Sequence, residues 1–317
     1  MRKHLWTICF SAALAAFTVY FALDTFVLRE RYAIVEEANT AAFSAEAESR
    51  QAQAESGGAA ANPSAECAAL AAASVGADYA DEHAAVTLTE YEEYDTKIYV
   101  ADVVLSSAQY LRTAFAENTY GKNITAATSA IAAANGAVLA VNGDYYGAQE
   151  RGYVIRNGVV YRESARGADV LCIYADGTME VVSDRDYTAK ELVERGVWQA
   201  FTFGPGLLED GGITVGLNDE VGRAKASNPR TAIGIIDANH FVFVVSDGRT
   251  DESAGLTLYE LAAFMQKLGV TTAYNLDGGG SSTMYFNGQV VNNPTSGGRI
   301  KERGVSDIVY IGYAAEM

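Results

Sequence analysis

Apolar and polar residues alternate along most of the chain after residue 86, and this pattern predicts a domain rich in β-strands. Thr87 to Leu105 carries many Tyr, Val and Ile residues and predicts two opening strands joined near Tyr94-Asp95. Two further hairpins are predicted at Asn157-Gly158 and Asp176-Gly177, because both dipeptides favour the left-handed backbone of tight turns.

Helical spacing of apolar residues is limited to a few short segments. The predicted helices cover Ile124 to Asn135, Thr188 to Gly196 and Leu256 to Leu268, and a glycine ends each of them. The order of elements shows no regular strand–helix–strand alternation, which argues against a dinucleotide-binding fold. The predicted fold class is therefore α+β, a mixed, strand-rich domain with a few packed helices.

The first quarter of the chain differs from this domain. Leu5 to Leu23 is uncharged, follows Arg2 and Lys3, and is close to the roughly 20 residues that cross a bilayer. We expect residues 1–28 to hold a cytoplasmic N-terminus and a transmembrane anchor, 29–85 an Ala/Glu/Ser-rich stalk, and 86–317 an extracellular domain. A cleaved signal peptide is the alternative for the N-terminal segment.

Charge and side-chain chemistry exclude several classes of function. The net charge of −17 disfavours nucleic acid as a partner, so an anionic ligand would need arginines concentrated in one cleft. The three histidines, His4, His83 and His240, show neither metal-ligand spacing nor the arrangement of a serine-histidine triad. The cysteine Cys172 lies in an apolar strand pattern and is predicted to be a packed hydrophobe.

The segment from Asn275 to Thr283 carries the strongest chemical pattern. A strand predicted over Gly269 to Tyr274 ends there, and alternation puts Asn275 and Asp277 on one side of it. Small or hydroxyl-bearing residues follow and could bring backbone N–H groups and hydroxyls to a ligand: Gly278, Gly279, Gly280, Ser281, Ser282 and Thr283. An active-site rim is one interpretation, and a loose Asp-Gly turn between two strands is the other.

Other blocks along the chain make this pattern specific. They are Asn142-Gly143-Asp144, the run NPRTAIG from Asn228 to Gly234, Asp247-Gly248-Arg249 after an apolar strand, and the late Val291 to Pro294. In this order, from about Thr87 to Tyr313, they resemble the phosphodiester glycosidases, a family similar to the catalytic domain of the lysosomal uncovering enzyme. The late block departs from the family pattern, since Asn-Pro-Thr-Ser stands where Asn-Pro-Ser-Asp is expected.

The resemblance implies hydrolysis of a sugar 1-phosphodiester by polar residues at strand ends. Asp277 and Asp144 are the candidate catalytic carboxylates, although Asp144 also fits a simple turn. Arg230 is the preferred phosphate clamp, because a guanidinium binds two phosphate oxygens at once; a surface ion pair is the alternative. The remaining substrate-binding candidates are Asn142, Asn275, Asp247, Arg249, Gly278, Gly279, Gly280, Ser281, Ser282 and Thr283.

No cofactor is expected to be required, and a Ca²⁺ or Mg²⁺ ion shared by the carboxylates is kept as an alternative. Aromatic side chains could form stacking walls for a sugar or belong to the core, namely Tyr145, Tyr146 and Tyr285. A polar loop at 292–298 is expected to cover the cleft.

The sequence thus predicts a membrane-anchored hydrolase that acts on an extracellular glycan or cell-envelope glycopolymer. A non-catalytic carbohydrate-binding or envelope polysaccharide assembly module is the alternative, since it would keep the ligand contacts without turnover.

Overall fold

The computed structural model describes residues 5–34, 63–74, 76–219 and 227–313. The helices are α1 Leu5–Phe26, α2 Pro63–Ala73, α3 Thr128–Ala134, α4 Ala189–Glu194 and α5 Leu258–Lys267. The strands of the first half are β1 Glu30–Ile34, β2 Tyr79–Ala80, β3 Ala84–Glu93, β4 Thr96–Leu105, β5 Leu111–Phe115, β6 Thr119–Lys122, β7 Leu139–Asn142, β8 Val154–Arg156, β9 Val159–Arg162, β10 Asp169–Tyr174 and β11 Met179–Ser183. Those of the second half are β12 Val197–Phe201, β13 Gly206–Glu209, β14 Gly212–Ile213, β15 Arg230–Asp237, β16 His240–Ser246, β17 Thr272–Asn275, β18 Met284–Phe286, β19 Gln289–Val290, β20 Thr295–Ser296, β21 Arg299–Ile300 and β22 Asp307–Ile311.

Three larger sheets build the domain. The first has eight strands in the order β14-β13-β17-β15-β16-β4-β3-β2, and the other two have five strands each, β19-β18-β7-β22-β5 and β11-β10-β12-β8-β9. Neighbouring strands in these sheets run antiparallel. The strand-rich, mixed α+β architecture expected from the sequence is therefore confirmed.

The main core lies where the three sheets face one another. Phe243 of β16, Leu171 of β10 and Val309 of β22 belong to one buried cluster, so each sheet contributes an apolar face to it. On the other face of the eight-stranded sheet, α5 packs Leu261 and Phe264 against the strands. This double burial holds the central strands of the large sheet, and the candidate site lies at their ends.

The predicted hairpins are confirmed by backbone geometry. Tyr94 and Asp95 have φ values of 55° and 50° between β3 and β4, the left-handed pair that a two-residue hairpin requires. Asn157-Gly158 makes the same kind of turn between β8 and β9, with φ values of 50° and 75°. Cys172 is buried beside α4, which confirms its prediction as a packed hydrophobe.

The region before residue 86 shows structure that the stalk prediction did not include. Strand β1 pairs with β6, and Leu70 of α2 is buried against Ala85 and Val104 of the large sheet. Residues 35–62 of the predicted stalk lie outside the described residues. Within the described ranges, no helix combines the length and the apolar character that a membrane crossing needs. The anchor predicted over 5–23 therefore lacks structural support.

Helix α5, which packs on the large sheet, begins with a reciprocal cap. Removing this cap tests how much the helix contributes to the stability of the fold. The Thr257 hydroxyl accepts the Glu260 N–H at 3.1 Å, while the Glu260 carboxylate accepts the Thr257 N–H at 2.8 Å. Thr257→Ala should lower the free energy of unfolding by about 1 kcal/mol, since one N–H loses its acceptor. Urea unfolding measures this change, and Thr257→Ser, which keeps the hydroxyl, should stay near wild type. Equal losses in both variants would contradict a capping role.

Candidate active site

Asn142 joins the strand ends that the sequence motifs occupy. Its amide donates to the Asp277 carbonyl oxygen at 2.6 Å, and its side-chain oxygen accepts the Thr231 hydroxyl at 2.8 Å and the Thr283 N–H at 3.3 Å. The residue is fully buried, so it positions the site and does not face a ligand. The three motifs around residues 142, 231 and 277 therefore meet in space.

Asp277 is the candidate carboxylate with access to solvent. Its side chain is 12% exposed, and one of its oxygens accepts the Arg303 Nη2–H at 2.8 Å. Burial raises the pKa of the Asp277 carboxyl above its ordinary value, while Arg303 and the Ser281 hydroxyl oppose this rise. An arginine that the sequence analysis did not select therefore holds the central carboxylate.

The glycine triplet Gly278–Gly280 is needed because other groups press against it. A Cβ at the first glycine would lie 2.9 Å from the Pro229 carbonyl oxygen, at the second 2.9 Å from Arg249 Nη2, and at the third 3.1 Å from the Ser296 side chain. The second glycine also has a φ of +62°, which other residues adopt only at a cost. The triplet thus admits protein neighbours closely, whereas the sequence suggested open space for a ligand.

The hydroxyl residues after the triplet are buried. Ser281 accepts the Arg303 Nε–H at 2.8 Å, so its oxygen fixes an arginine. Ser282 and Thr283 are fully buried, and their hydroxyls have no partner in the described part of the chain. Direct ligand contact by these two hydroxyls, as the sequence suggested, would need the loop to open.

Arg230 and Arg249 both lie near the triplet but differ in exposure. Arg230 is 3% exposed, and its Nε–H donates to the Leu256 carbonyl oxygen at 2.8 Å. Arg249 is exposed, and its Nε and Nη2 both donate to the Asn228 side-chain oxygen, at 3.1 and 2.8 Å. The predicted clamp is therefore the more enclosed of the two arginines.

Asp144, the second candidate catalytic carboxylate, is buried. Its two oxygens accept the N–H groups of Tyr146 at 2.9 Å and Thr202 at 3.2 Å, and the second oxygen also lies 3.0 Å from Arg156 Nη2. A carboxylate so enclosed orients its neighbours, and its direct catalytic role remains a prediction.

The sequence did not reveal a buried ion pair between Arg156 and Asp307. Arg156 is 1% exposed, and its Nε donates to Asp307 at 2.7 Å while its guanidinium lies 4.1 Å from the centre of the Phe201 ring. Burial raises the pKa of Asp307 to about 7; Arg156 opposes this rise, and the Asp144 carboxylate adds to it. Both residues lie at the ends of strands. A charged residue at a strand end is usually exposed, so the alternation of apolar and polar residues did not indicate that these two are buried.

Asp247 holds the polar loop that was expected to cover the cleft. Its carboxylate accepts the Asn293 N–H at 2.8 Å, the Asn293 amide at 3.0 Å and the Asn292 amide at 3.2 Å. All three donors come from this loop, so Asp247 fixes its position. The substrate contact predicted for Asp247 stays a prediction, and the contacts seen in the structure position the loop.

Asn275 contacts the turn of the chain at Gly204. Its amide donates to the Gly204 carbonyl oxygen at 2.8 Å, and its side-chain oxygen has no partner among the described residues. A cavity of about 590 Å³ lies beside that turn and is lined in part by Gly204, Pro205 and Asp169. None of the residues predicted for the site lines this cavity, so it is separate from the carboxylates.

The three candidate aromatic side chains differ in exposure. Tyr146 and Tyr285 are buried at 2% and 7% exposure, and only Tyr145, at 45%, is available to stack on a sugar. The described ranges contain no group of three His, Cys, Asp or Glu side chains placed to hold a metal ion. Arginines, and no recognisable ligand set, surround the carboxylates.

The raised pKa of Asp307 predicts a pH dependence of stability. The unfolded carboxyl titrates near pH ~4, and the folded one at about 7, so the folded state holds an extra proton between these values. This group therefore contributes a loss of stability as pH rises from ~4 toward 7, on the order of 1 kcal/mol per pH unit. Asp307→Asn should remove that slope in urea unfolding between pH 4.5 and 7.5. The exposed variant Asp186→Asn should keep it, and parallel curves for wild type and Asp307→Asn would refute this assignment.

Comparison with known proteins places the chain. Over 176 residues it is 32% identical to a SPbeta prophage-derived uncharacterized protein, YomE, of Bacillus subtilis, covering 54% of this chain and 26% of that protein. Over 66 residues it is 44% identical to the human N-acetylglucosamine-1-phosphodiester alpha-N-acetylglucosaminidase, covering 21% of this chain and 13% of the human protein. The chain thus spans about a quarter or less of the length of these relatives.

The fold and a family model agree with these relatives. The catalytic domain of the zebrafish N-acetylglucosamine-1-phosphodiester alpha-N-acetylglucosaminidase, auto-inhibited by its pro-peptide, superposes with a TM-score of 0.57 at 21% identity, over 73% of this chain and 83% of that one. A hypothetical protein from Synechocystis gives the same TM-score at 14% identity, over 74% of this chain and 62% of that one. The phosphodiester glycosidase family model matches residues 135–312, more than half of the chain. The chain therefore belongs to the phosphodiester glycosidase family.

Proposed function

We propose that this protein hydrolyses a sugar 1-phosphodiester, with N-acetylglucosamine as the first sugar to test. The observation that carries the proposal is the placement of Asp277, a partly exposed carboxylate bound by Arg303 beside the glycine turn that Arg230 and Arg249 also approach. The named activity of the human relative supports the choice of sugar.

The reaction fits this distribution of charge. In the overall reaction the water oxygen bonds to the anomeric carbon and one water O–H bond breaks, with its proton passing to a base. The bond from the anomeric carbon to the phosphate oxygen breaks, and a phosphomonoester leaves with the released electron pair. The leaving group is already acidic, so stabilising its negative charge matters more than a strong proton donor. We assign the carbon centre to Asp277, as nucleophile or as base for the water, and the phosphate to the arginines.

We place the substrate outside the cell, in a surface glycan or envelope glycopolymer. This part of the proposal rests on the N-terminal sequence alone, where an uncharged run at 5–23 follows two basic residues. Fractionation of cells that make the full chain, followed by protease treatment of intact cells, tests it. Protection of the domain from external protease would contradict it.

A non-catalytic carbohydrate-binding module is the second candidate, because one observation favours it. Asp144, the second predicted carboxylate, is only 3% exposed and hydrogen-bonded through both oxygens. A site with a single accessible carboxylate could hold a glycan without cleaving it.

Asp277→Asn separates these two functions. It keeps the size and much of the hydrogen bonding of the side chain but removes the ionised carboxylate, so we expect turnover of a sugar 1-phosphodiester to fall about 10²- to 10⁴-fold while binding changes little. Sugar release from a panel of such diesters measures turnover, and calorimetry measures binding. The exposed variant Asp186→Asn should match wild type. A wild-type chain that binds the panel without releasing sugar, and keeps that binding in Asp277→Asn, would establish the module.

A further inference from the structure

Arg303 has a guanidinium that is only partly used by the protein. Its Nε and Nη2 donate to the Ser281 hydroxyl at 2.8 and 2.5 Å, and Nη2 also donates to Asp277 at 2.8 Å. In the described part of the chain Nη1 has no hydrogen-bond acceptor, and 41% of the side chain is exposed. Two N–H donors beside the central carboxylate are therefore without an acceptor among the described residues.

The backbone around Arg303 is fixed, although it belongs to neither a helix nor a strand. Its own N–H donates to the Gly280 carbonyl oxygen at 3.2 Å. The preceding Glu302 accepts the Ser129 N–H at 2.9 Å, and Val305 pairs with Ala126 as an isolated bridge. Hydrogen bonds of the neighbouring residues on both sides fix the position of Arg303 before a ligand binds, as a binding residue requires.

The other two arginines at the turn are less suited to a ligand. Arg230 is 3% exposed and gives its Nε to a carbonyl oxygen. Arg249 uses its Nε and Nη2, the edge that would grip two oxygens, on Asn228. Arg303, in contrast, donates directly to the Asp277 carboxylate that is assigned to the anomeric carbon.

We infer that Arg303 is the specificity-determining residue for phosphate: its Nη1 edge binds an oxygen of the substrate phosphodiester while Nη2 remains on Asp277. The inference rests on the proposed function and deepens it. In a displacement the carboxylate and the leaving phosphate flank the same anomeric carbon from opposite faces, so one planar guanidinium beside that carbon can donate to both. The same cation attracts both the phosphate and the Asp277 carboxylate, which offsets the repulsion between these two anions.

Binding of a phosphorylated and an unphosphorylated sugar tests the assignment without turnover. The probes are N-acetylglucosamine 1-phosphate and N-acetylglucosamine, and the quantity, measured by calorimetry, is the Kd of N-acetylglucosamine divided by the Kd of N-acetylglucosamine 1-phosphate. Arg303→Lys keeps the positive charge beside Asp277 but loses the planar fork, so this ratio should fall about 10- to 100-fold. Arg299→Lys, a matched change at an exposed arginine in the preceding strand, should leave it unchanged.

Two further variants complete the test. Ser281→Ala removes the oxygen that aligns the guanidinium, and it should lower the same ratio about 3- to 10-fold even if Arg303→Lys fails to fold. An unchanged ratio in the folded Arg303 variant, or loss of the ratio in Arg230→Lys instead, would overturn the assignment. A wild-type chain that cleaves no sugar 1-phosphodiester would reject the proposed function, whereas a wild type that cleaves them beside an unaltered Arg303→Lys would reject only this inference.

Discussion

The buried pairing of Arg156 with Asp144 and Asp307 is the interaction on which the site depends. Arg156 lies on β8 in one five-stranded sheet, while Asp307 begins β22 and Asp144 follows β7 in the other. Removing three charged groups from water is costly, and only close contacts in a fixed geometry offset that cost. The pairing therefore sets how the two sheets meet, and the strand end that leads to Asp144 cannot shift without leaving a buried charge unpaired.

Charge is arranged in two layers around the turn at residue 278. The inner layer of Arg156 and its two carboxylates is closed to solvent, and it carries one more negative than positive group when fully ionised. The outer layer has Asp277 with Arg303 and is partly open. The two layers therefore have different roles. The buried ion pairs of the inner layer keep their partners and stabilise the fold, whereas the partly exposed pair of the outer layer can accept a ligand.

Local rules predicted the turns and the motif ends, whereas the contacts between motifs were beyond them. Asn157-Gly158 and Tyr94-Asp95 were found because their backbone preference is encoded by neighbours in the chain. The sequence also placed Asp277 at a strand end. It could not show that Asn142, 135 positions earlier, and Arg303, 26 positions later, would contact that residue. Arg303 lies among Arg299, Lys301 and Glu302, so nothing in its spacing distinguishes it from a solvated run of charges.

The position of β22 has a consequence for how the protein is made. This strand lies between β7 and β5 in its sheet, although it follows all the other described strands along the chain. Until residues 307–311 are available, the edges of β5 and β7 that face β22 in this sheet have no partner strand. Because Asp307 and Arg303 arrive with the same segment, the molecule gains its completed sheet and its charged site in one late step, and a nascent chain has neither.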